Sequence, residues 1–219
     1  MSGRNEAETR AELIDPALKD AGWGESDGSR VRREVIAPGR IQNGGRRSNS
    51  DIADYVLVYK GHKLAVVEAK REGLPDTEGV AQAKKYAERL QARFTYSTNG
   101  HGIYQIDMAT GEEKYVDAFP SPDQLWAATF AEASEWRDRF SEVPFEDKGG
   151  AWEARYYQHN AINKTLEAIA AGQERILLTL ATGTGKTFIA FQLAWKLFHS
   201  RWTLKRDGER RPNINAIAR

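Results

Sequence analysis

The sequence contains no cysteine, which excludes disulfide frameworks and cysteine-based zinc sites and fits a reducing compartment. Net charge is nearly absent: 32 Lys and Arg stand against 31 Asp and Glu. A global basic signature is thereby excluded, so any nucleic-acid surface must be local. The 4 histidines are scattered and show no metal-ligand spacing. No apolar run approaches the roughly 18 residues of a membrane span, and the N-terminal MSGRNEAETRAEL has no secretory apolar region. A cytoplasmic protein with no membrane partner is expected. What is present is 219 residues with 40% hydrophobic content, enough to bury one or two ordinary cores.

The most informative stretch runs from Ala53 to Lys70, ADYVLVYKGHKLAVVEAK. Two apolar runs flank Lys60, Gly61 and His62, the pattern of a β-hairpin with a short glycine-containing loop. With those three residues as the loop, Tyr59 pairs with Lys63, and counting outward sets Asp54 across from Glu68. Lys70 lies two residues beyond Glu68, so the strand period turns it to the same face. The inner residues are apolar on both faces, which predicts a central, largely buried strand pair. Two readings fit this acid, acid, lysine cluster. One is a strand-end ion pair between Glu68 and Lys70, with Asp54 as a turn or capping residue. The other is a divalent-metal site: adjacent carboxylates repel unless a cation relieves them, and a neighbouring lysine can orient a water toward a phosphodiester. Asp51 is a competing acid, off the opposed position.

Around the hairpin the pattern is mixed α/β. Residues 5–22 read as helix, with Asn5 available as a cap and Pro16 either kinking it or restarting it after Asp15. Glu6 and Glu8, near its start, are both within reach of the carboxylates. Residues 31–37 read as a strand, followed by a long turn-rich segment. Arg30, Arg32, Arg33, Arg40, Arg46 and Arg47 make a local basic concentration here, either a substrate contact or a solvated loop. Residues 78–93 predict a helix carrying Gln82 and Tyr86 on one face. Strands are expected at 94–98, 102–106 and 114–119, then helices at 121–130 and 136–140. The stretch SEVPFEDKGGAW is the best linker candidate, with one domain over 1–145, a linker over 146–152 and a second domain over 153–219.

In the second domain, residues 160–171 predict a helix and 175–180 a short apolar strand. The loop ATGTG follows, and Lys186 and Thr187 open the next helix. Strand, glycine loop, Lys-Thr and helix form the P-loop context, in which backbone N–H groups and a lysine cradle phosphates. Leu180 stands where the general pattern has its first glycine, as in helicase-type loops.

Four stretches in this order carry a resemblance: NEAETRAELIDPALKDAGW, ADYVLV with VVEAK, QAKKYA, and ARYYQHNAI followed by LATGTGKT. They resemble the N-terminal part of the restriction (R) subunit of type I restriction-modification enzymes. That resemblance implies a mixed-sheet, restriction-endonuclease-like PD-(D/E)xK domain, followed by the first elements of a RecA-like superfamily 2 motor. It implies Asp54 and Glu68 as ligands of Mg²⁺, Lys70 as the catalytic lysine, and Glu6, with Glu8 as fallback, as the assisting acid. It implies Gln82 and Tyr86 as a QxxxY element supporting DNA or the active site. Gln158, with Tyr157 or Arg155 nearby, would read adenine, and Thr182, Gly183, Thr184, Gly185, Lys186 and Thr187 would bind ATP, with Thr187 on its Mg²⁺. The implied activity is ATP-dependent translocation on double-stranded DNA and Mg²⁺-dependent cleavage, with methylation and specificity subunits as partners. No acidic Walker B box precedes Arg219, so the chain is expected to be a fragment unable to hydrolyse ATP or translocate. The rival readings are a DNA-dependent ATPase whose N-terminal domain only binds DNA, and a non-enzymatic assembly module.

Overall fold

The structure, a computed structural model, describes residues 3–37, 51–130, 134–149, 152 and 154–202. Arg40, Arg46 and Arg47, the side chain of Asp51, and the terminal NINAI stretch lie outside the described residues. The chain divides into two compact units, Met1–Ala131 and Glu132–Arg219.

The first unit is built on a six-stranded sheet in the order β1-β2-β3-β4-β5-β6, with β1 Ser29–Ala37, β2 Asp51–Tyr59, β3 His62–Ala69, β4 Phe94–Thr98, β5 Ile103–Asp107 and β6 Glu113–Val116. All neighbours are antiparallel except β3 and β4, which run parallel. A parallel pair needs a crossover, and here α3, Val80–Leu90, supplies it. Tyr55, Leu57, Leu64, Val67 and Tyr96 are buried in the main core beside Ile14, Leu18, Phe94 and Phe119. Val56 and Val66 are buried as well, so the central strands are covered on both faces.

The β2–β3 hairpin is tighter than the sequence suggests. Tyr59 pairs with His62, leaving only Lys60 and Gly61 in the turn. Both adopt left-handed backbone, φ 48° and 76°, the conformation that matches a two-residue turn to strand twist and that glycine adopts without strain. An irregularity between Leu57 and Val58 then restores the expected register: Leu57 faces Ala65, Val56 faces Val66 and Tyr55 faces Val67. One further step sets Asp54 toward Glu68. The bulge offsets the shorter turn, so the carboxylate-bearing end of the hairpin falls where counting placed it.

At the N-terminus the chain stays helical through Pro16: α1 Glu6–Thr9, a π-helical turn Arg10–Ile14, and α2 Asp15–Asp20. In the wide turn the Asp15 N–H reaches back to the Arg10 carbonyl. Pro16 then falls in the first turn of α2, where its missing N–H costs little, so the α-helix resumes at Asp15 as the restart reading had it, with Ile14 in the cap position in place of Asp15. The helix expected at 121–130 is α4, Pro122–Thr129, held by a capping box between Ser121 and Gln124.

The second unit contains α5 Glu135–Glu142, α6 Tyr156–Ala170 and α7 Lys186–His199. Phe140, Ile162, Leu166 and Ile189 form its core. Helix α5 therefore packs with the elements after the anticipated linker, and the units divide ahead of it. Gln192 on α7 donates to the Glu146 carbonyl and accepts from its N–H, while Lys196 donates to the Phe140 and Val143 carbonyls. Part of the stretch expected as a linker is thus tied to α7. The strand expected at 175–180 is absent, and Leu177 is 89% exposed. A strand needs a neighbour for its backbone groups, and among the described residues every strand belongs to the sheet of the first unit. Among the described residues no helix is long and apolar enough to cross a membrane.

Candidate active site

Three elements of the first unit bring the expected residues together. Strand β3 carries Glu68 and leads into Lys70, β2 carries Asp54, and α3 lays Gln82 and Tyr86 over them. Lys70 Nζ donates to Glu68 Oε1 at 2.8 Å and to Gln82 Oε1 at 2.8 Å. Gln82 Nε2 in turn donates to the Tyr86 hydroxyl at 3.4 Å, and Tyr86 is buried. Asp54 is fixed across the hairpin: its Oδ2 accepts the Ala69 N–H at 2.8 Å, and its Oδ1 accepts Arg10 Nη1 at 3.1 Å.

The electrostatics follow from burial. Glu68 is 4% exposed, and burial pushes its carboxyl up to about 7 against the opposing hydrogen bond from Lys70. Burial also raises Asp54, while the Ala69 N–H and the Arg10 charge pull it back. Burial works against the Lys70 ammonium, yet the Glu68 hydrogen bond and the carboxylates around it hold that group above its ordinary value. Glu68 Oε2 is buried without a hydrogen-bond partner. An orphaned carboxylate oxygen beside a second carboxylate is a donor set that fits a hard divalent cation. Among the described residues no three His, Cys, Asp or Glu side chains are gathered to hold a metal. Asp54 and Glu68 are the carboxylates that would hold it here, and a site with so few protein ligands suits Mg²⁺, an ion that keeps several waters and accepts phosphate oxygens.

The first helix separates the two candidate acids. Glu8 accepts the Asn5 N–H at 2.9 Å and returns its own N–H to Asn5 Oδ1 at 2.9 Å, a capping box that turns it toward the helix start. Glu6 instead faces the site, where its charge acts on Asp54, Glu68 and Lys70. Glu72 keeps this helix in place. Its carboxylate takes the Arg4 N–H at 2.9 Å and His101 Nε2 at 2.9 Å, and its N–H donates to Thr9 Oγ1 at 3.1 Å. The hydrogen bond from His101, with those from Arg4, draws Glu72 down to about 2.

Several neighbours carried no recognisable sequence signal. Gly79, before α3, sits so close to the site that a Cβ there would lie 2.7 Å from Glu68 Cγ and 2.7 Å from Ser97 Oγ. Its N–H donates to Ser97 Oγ at 3.1 Å, which fastens the start of α3 to β4. Glu34 on β1 has φ 52°, unusual for a non-glycine residue in a strand, and its carboxylate lies 3.9 Å from Arg10. Arg10 itself was visible only as a basic residue four positions after Glu6. Of the local basic concentration, Arg33 is paired with Asp15 at 2.8 Å.

In the second unit, Gly183 and Gly185 adopt φ 79° and 80°, which lets the loop turn into α7 behind Lys186 and Thr187. Gln158 holds this loop: its Nε2 donates to the Thr184 carbonyl at 3.0 Å and its Oε1 accepts the Arg155 N–H at 2.9 Å. A cavity of about 370 Å³ lies beside them, lined by Trp152, Arg155, Tyr157, Gln158 and the Gly183–Gly185 turn. Trp152, half exposed with Lys148 over its ring, is an aromatic wall with no motif in the sequence to mark it.

Comparison with known proteins agrees with this division. The family described as Type I restriction enzyme R protein N terminus matches residues 33–120, and the type III restriction enzyme res subunit family matches residues 151–205. The endonuclease subunit of the type I restriction enzyme EcoAI from Escherichia coli is 36% identical over 214 residues, covering 92% of this chain and 26% of that protein. The EcoKI endonuclease subunit from Escherichia coli strain K12 is 28% identical over 253 residues, covering 86% of this chain and 21% of that protein. A solved fragment assigned to the HsdR subunit of a type I restriction enzyme from Vibrio vulnificus superposes with a TM-score of 0.81 at 39% identity, across 96% of this chain and 41% of that one. The chain therefore spans about a quarter of the length of these curated relatives.

Proposed function

The chain belongs to the R, or endonuclease, subunits of type I restriction enzymes, and on that premise we propose that its first unit hydrolyses DNA phosphodiester bonds with Mg²⁺. The observation that carries this reading is the Asp54, Glu68, Lys70 and Gln82 constellation, with Glu68 Oε2 left buried and unpartnered. Asp54 and Glu68 would hold the metal, which when bound supplies charge stabilisation at the phosphate. Lys70, aimed by Glu68 on one side and Gln82 on the other, positions the attacking water. Tyr86 sets the Gln82 amide, and Glu6 adds negative charge that favours cation binding.

The second unit contributes the nucleotide-binding start of a motor. Lys186 and Thr187 would take the phosphates and the Mg²⁺ of ATP, with the Gly183–Gly185 turn as the cradle. Gln158 braces that loop and faces the cavity where an adenine would lie, with Trp152 or Tyr157 as the stacking surface. In the whole subunit, ATP-driven translocation along double-stranded DNA precedes cutting, and the methylation and specificity subunits supply site recognition.

The test is nicking of supercoiled plasmid by the complete subunit assembled with its partners, ATP and Mg²⁺. Lys70→Ala is expected to reduce cutting by at least about a hundredfold while ATPase activity persists. Cutting at the wild-type rate would make the acid and lysine face structural and leave a DNA-dependent ATPase.

A further inference from the structure

Arg10 stands where two functions meet. It projects from the π-helical turn beside Asp54, and its Nη1 holds Asp54 Oδ1 at 3.1 Å. Asp54 Oδ2 is already committed to the Ala69 N–H at 2.8 Å. Oδ1 is the oxygen that the backbone leaves open to a metal, and a guanidinium occupies its approach. Arg10 is itself contested by further carboxylates: Glu6 lies 3.6 Å from Nη2 and Glu34 3.9 Å from Nη1. Those two are longer and more exposed contacts than the one to Asp54, which is largely buried.

We propose that Arg10 is a displaceable counter-cation that competes with the divalent metal for Asp54, and that a DNA phosphate releases it, so that metal and DNA load together. The inference rests on the endonuclease reading above. Its physical basis is a difference between two kinds of cation. A guanidinium neutralises a carboxylate through directional hydrogen bonds, while Mg²⁺ concentrates twice the charge at shorter range. The two cannot share Oδ1 without strong mutual repulsion. A phosphate diester offers the guanidinium a planar pair of oxygens, the geometry that Arg accepts in bidentate fashion. Glu6 and Glu34 keep the displaced side chain beside the site instead of letting it wander into solvent. Lys70 does not duplicate this role, because its ammonium is tied to Glu68 and Gln82 and does not touch Asp54. Arg10 is thus a positioning residue for Asp54 that becomes a phosphate contact once DNA arrives.

The experiment is a Mn²⁺ titration of the chain by electron paramagnetic resonance, with and without a short DNA duplex. Wild type is expected to bind Mn²⁺ more tightly when the duplex is present. Arg10→Gln removes the competing charge and is expected to bind Mn²⁺ about tenfold more tightly without DNA, with a smaller further gain from the duplex. Arg10→Lys keeps the charge and is expected to stay near wild type without DNA. Circular dichroism of each variant separates these effects from misfolding. Mn²⁺ affinity of Arg10→Gln equal to or weaker than wild type overturns the proposal. Mn²⁺ binding indifferent to both Asp54→Asn and Glu68→Gln overturns the endonuclease reading, and the proposal with it.

Discussion

A carboxyl held near neutral pH by burial makes Glu68 a liability whenever no cation compensates it. Its ordinary value is 4.5 and its folded value is about 7, so the unfolded chain gives up the proton first as pH rises. Folded stability from this group is therefore full below about pH 4.5 and is lost as pH climbs through 7. Glu68→Gln removes the titration while keeping an oxygen for Lys70. With metal chelated, the variant is expected to gain on the order of 2 kcal/mol over wild type between pH 5 and pH 8, read from urea midpoints. Added Mg²⁺ should stabilise wild type and leave the variant unmoved. A variant without this pH-dependent advantage would mean that Glu68 is less desolvated than its burial suggests. Asp54 and Lys70 were legible in the sequence because strand periodicity, with the register counted from the hairpin turn, sets them on one face. Arg10 was not, because its role depends on a tertiary approach between a helix and a strand forty-four positions apart.

At the scale of elements, the hairpin shows why counting succeeds even when its details fail. The turn holds one residue fewer than expected, and a bulge restores the register before the end that carries the carboxylates. Alternation of buried side chains is the stronger constraint: a lasting slip would turn Val56, Val66 and the carboxylates to the wrong faces. The strand expected at 175–180 failed for the complementary reason, since an apolar run specifies burial but not the neighbour that would make it a strand. Between these extremes lies the start of α3, where small size rather than backbone strain is decisive. Gly79 has φ −84°, accessible to any residue, yet a Cβ would meet Glu68, Ser97 and, at 3.1 Å, Lys70 Cε. Gly79→Ala is expected to cost about 1–3 kcal/mol by overpacking and to depress DNA cutting by the assembled subunit while ATPase activity is kept. Thermal melting together with both activity assays checks it. Unchanged stability and cutting would show that α3 can shift without disturbing Lys70.

At the scale of the whole chain, the two units differ in how completely they bury themselves. The first has a core from Ile14 to Leu125, with Ile36, Ile52 and Tyr115 exposed on its strands, and residues 1–131 expressed alone are expected to unfold cooperatively and to keep Mn²⁺ binding. The second leaves Ile176, Leu177 and Leu178 at the surface with Phe191 and Phe198, so residues 132–219 alone are expected to bind a hydrophobic dye strongly and to aggregate. Calorimetry and dye fluorescence of the two pieces check both statements, and a first unit that fails to fold would mean that its core borrows stability from the second. The division was only partly legible, because Pro and Gly mark flexible backbone whereas the packing of Phe140 decides which unit owns α5. The parallel pairing of β3 with β4 has one more consequence. Glu68 and Lys70 come before the crossover and Gln82 lies within it, so Lys70 gains its second hydrogen-bond partner only once α3 has packed over β3. Parallel closure across a helix is a non-local, late event in folding. A chain whose crossover has not closed therefore carries Lys70 with Glu68 as its partner but without the second hold from Gln82.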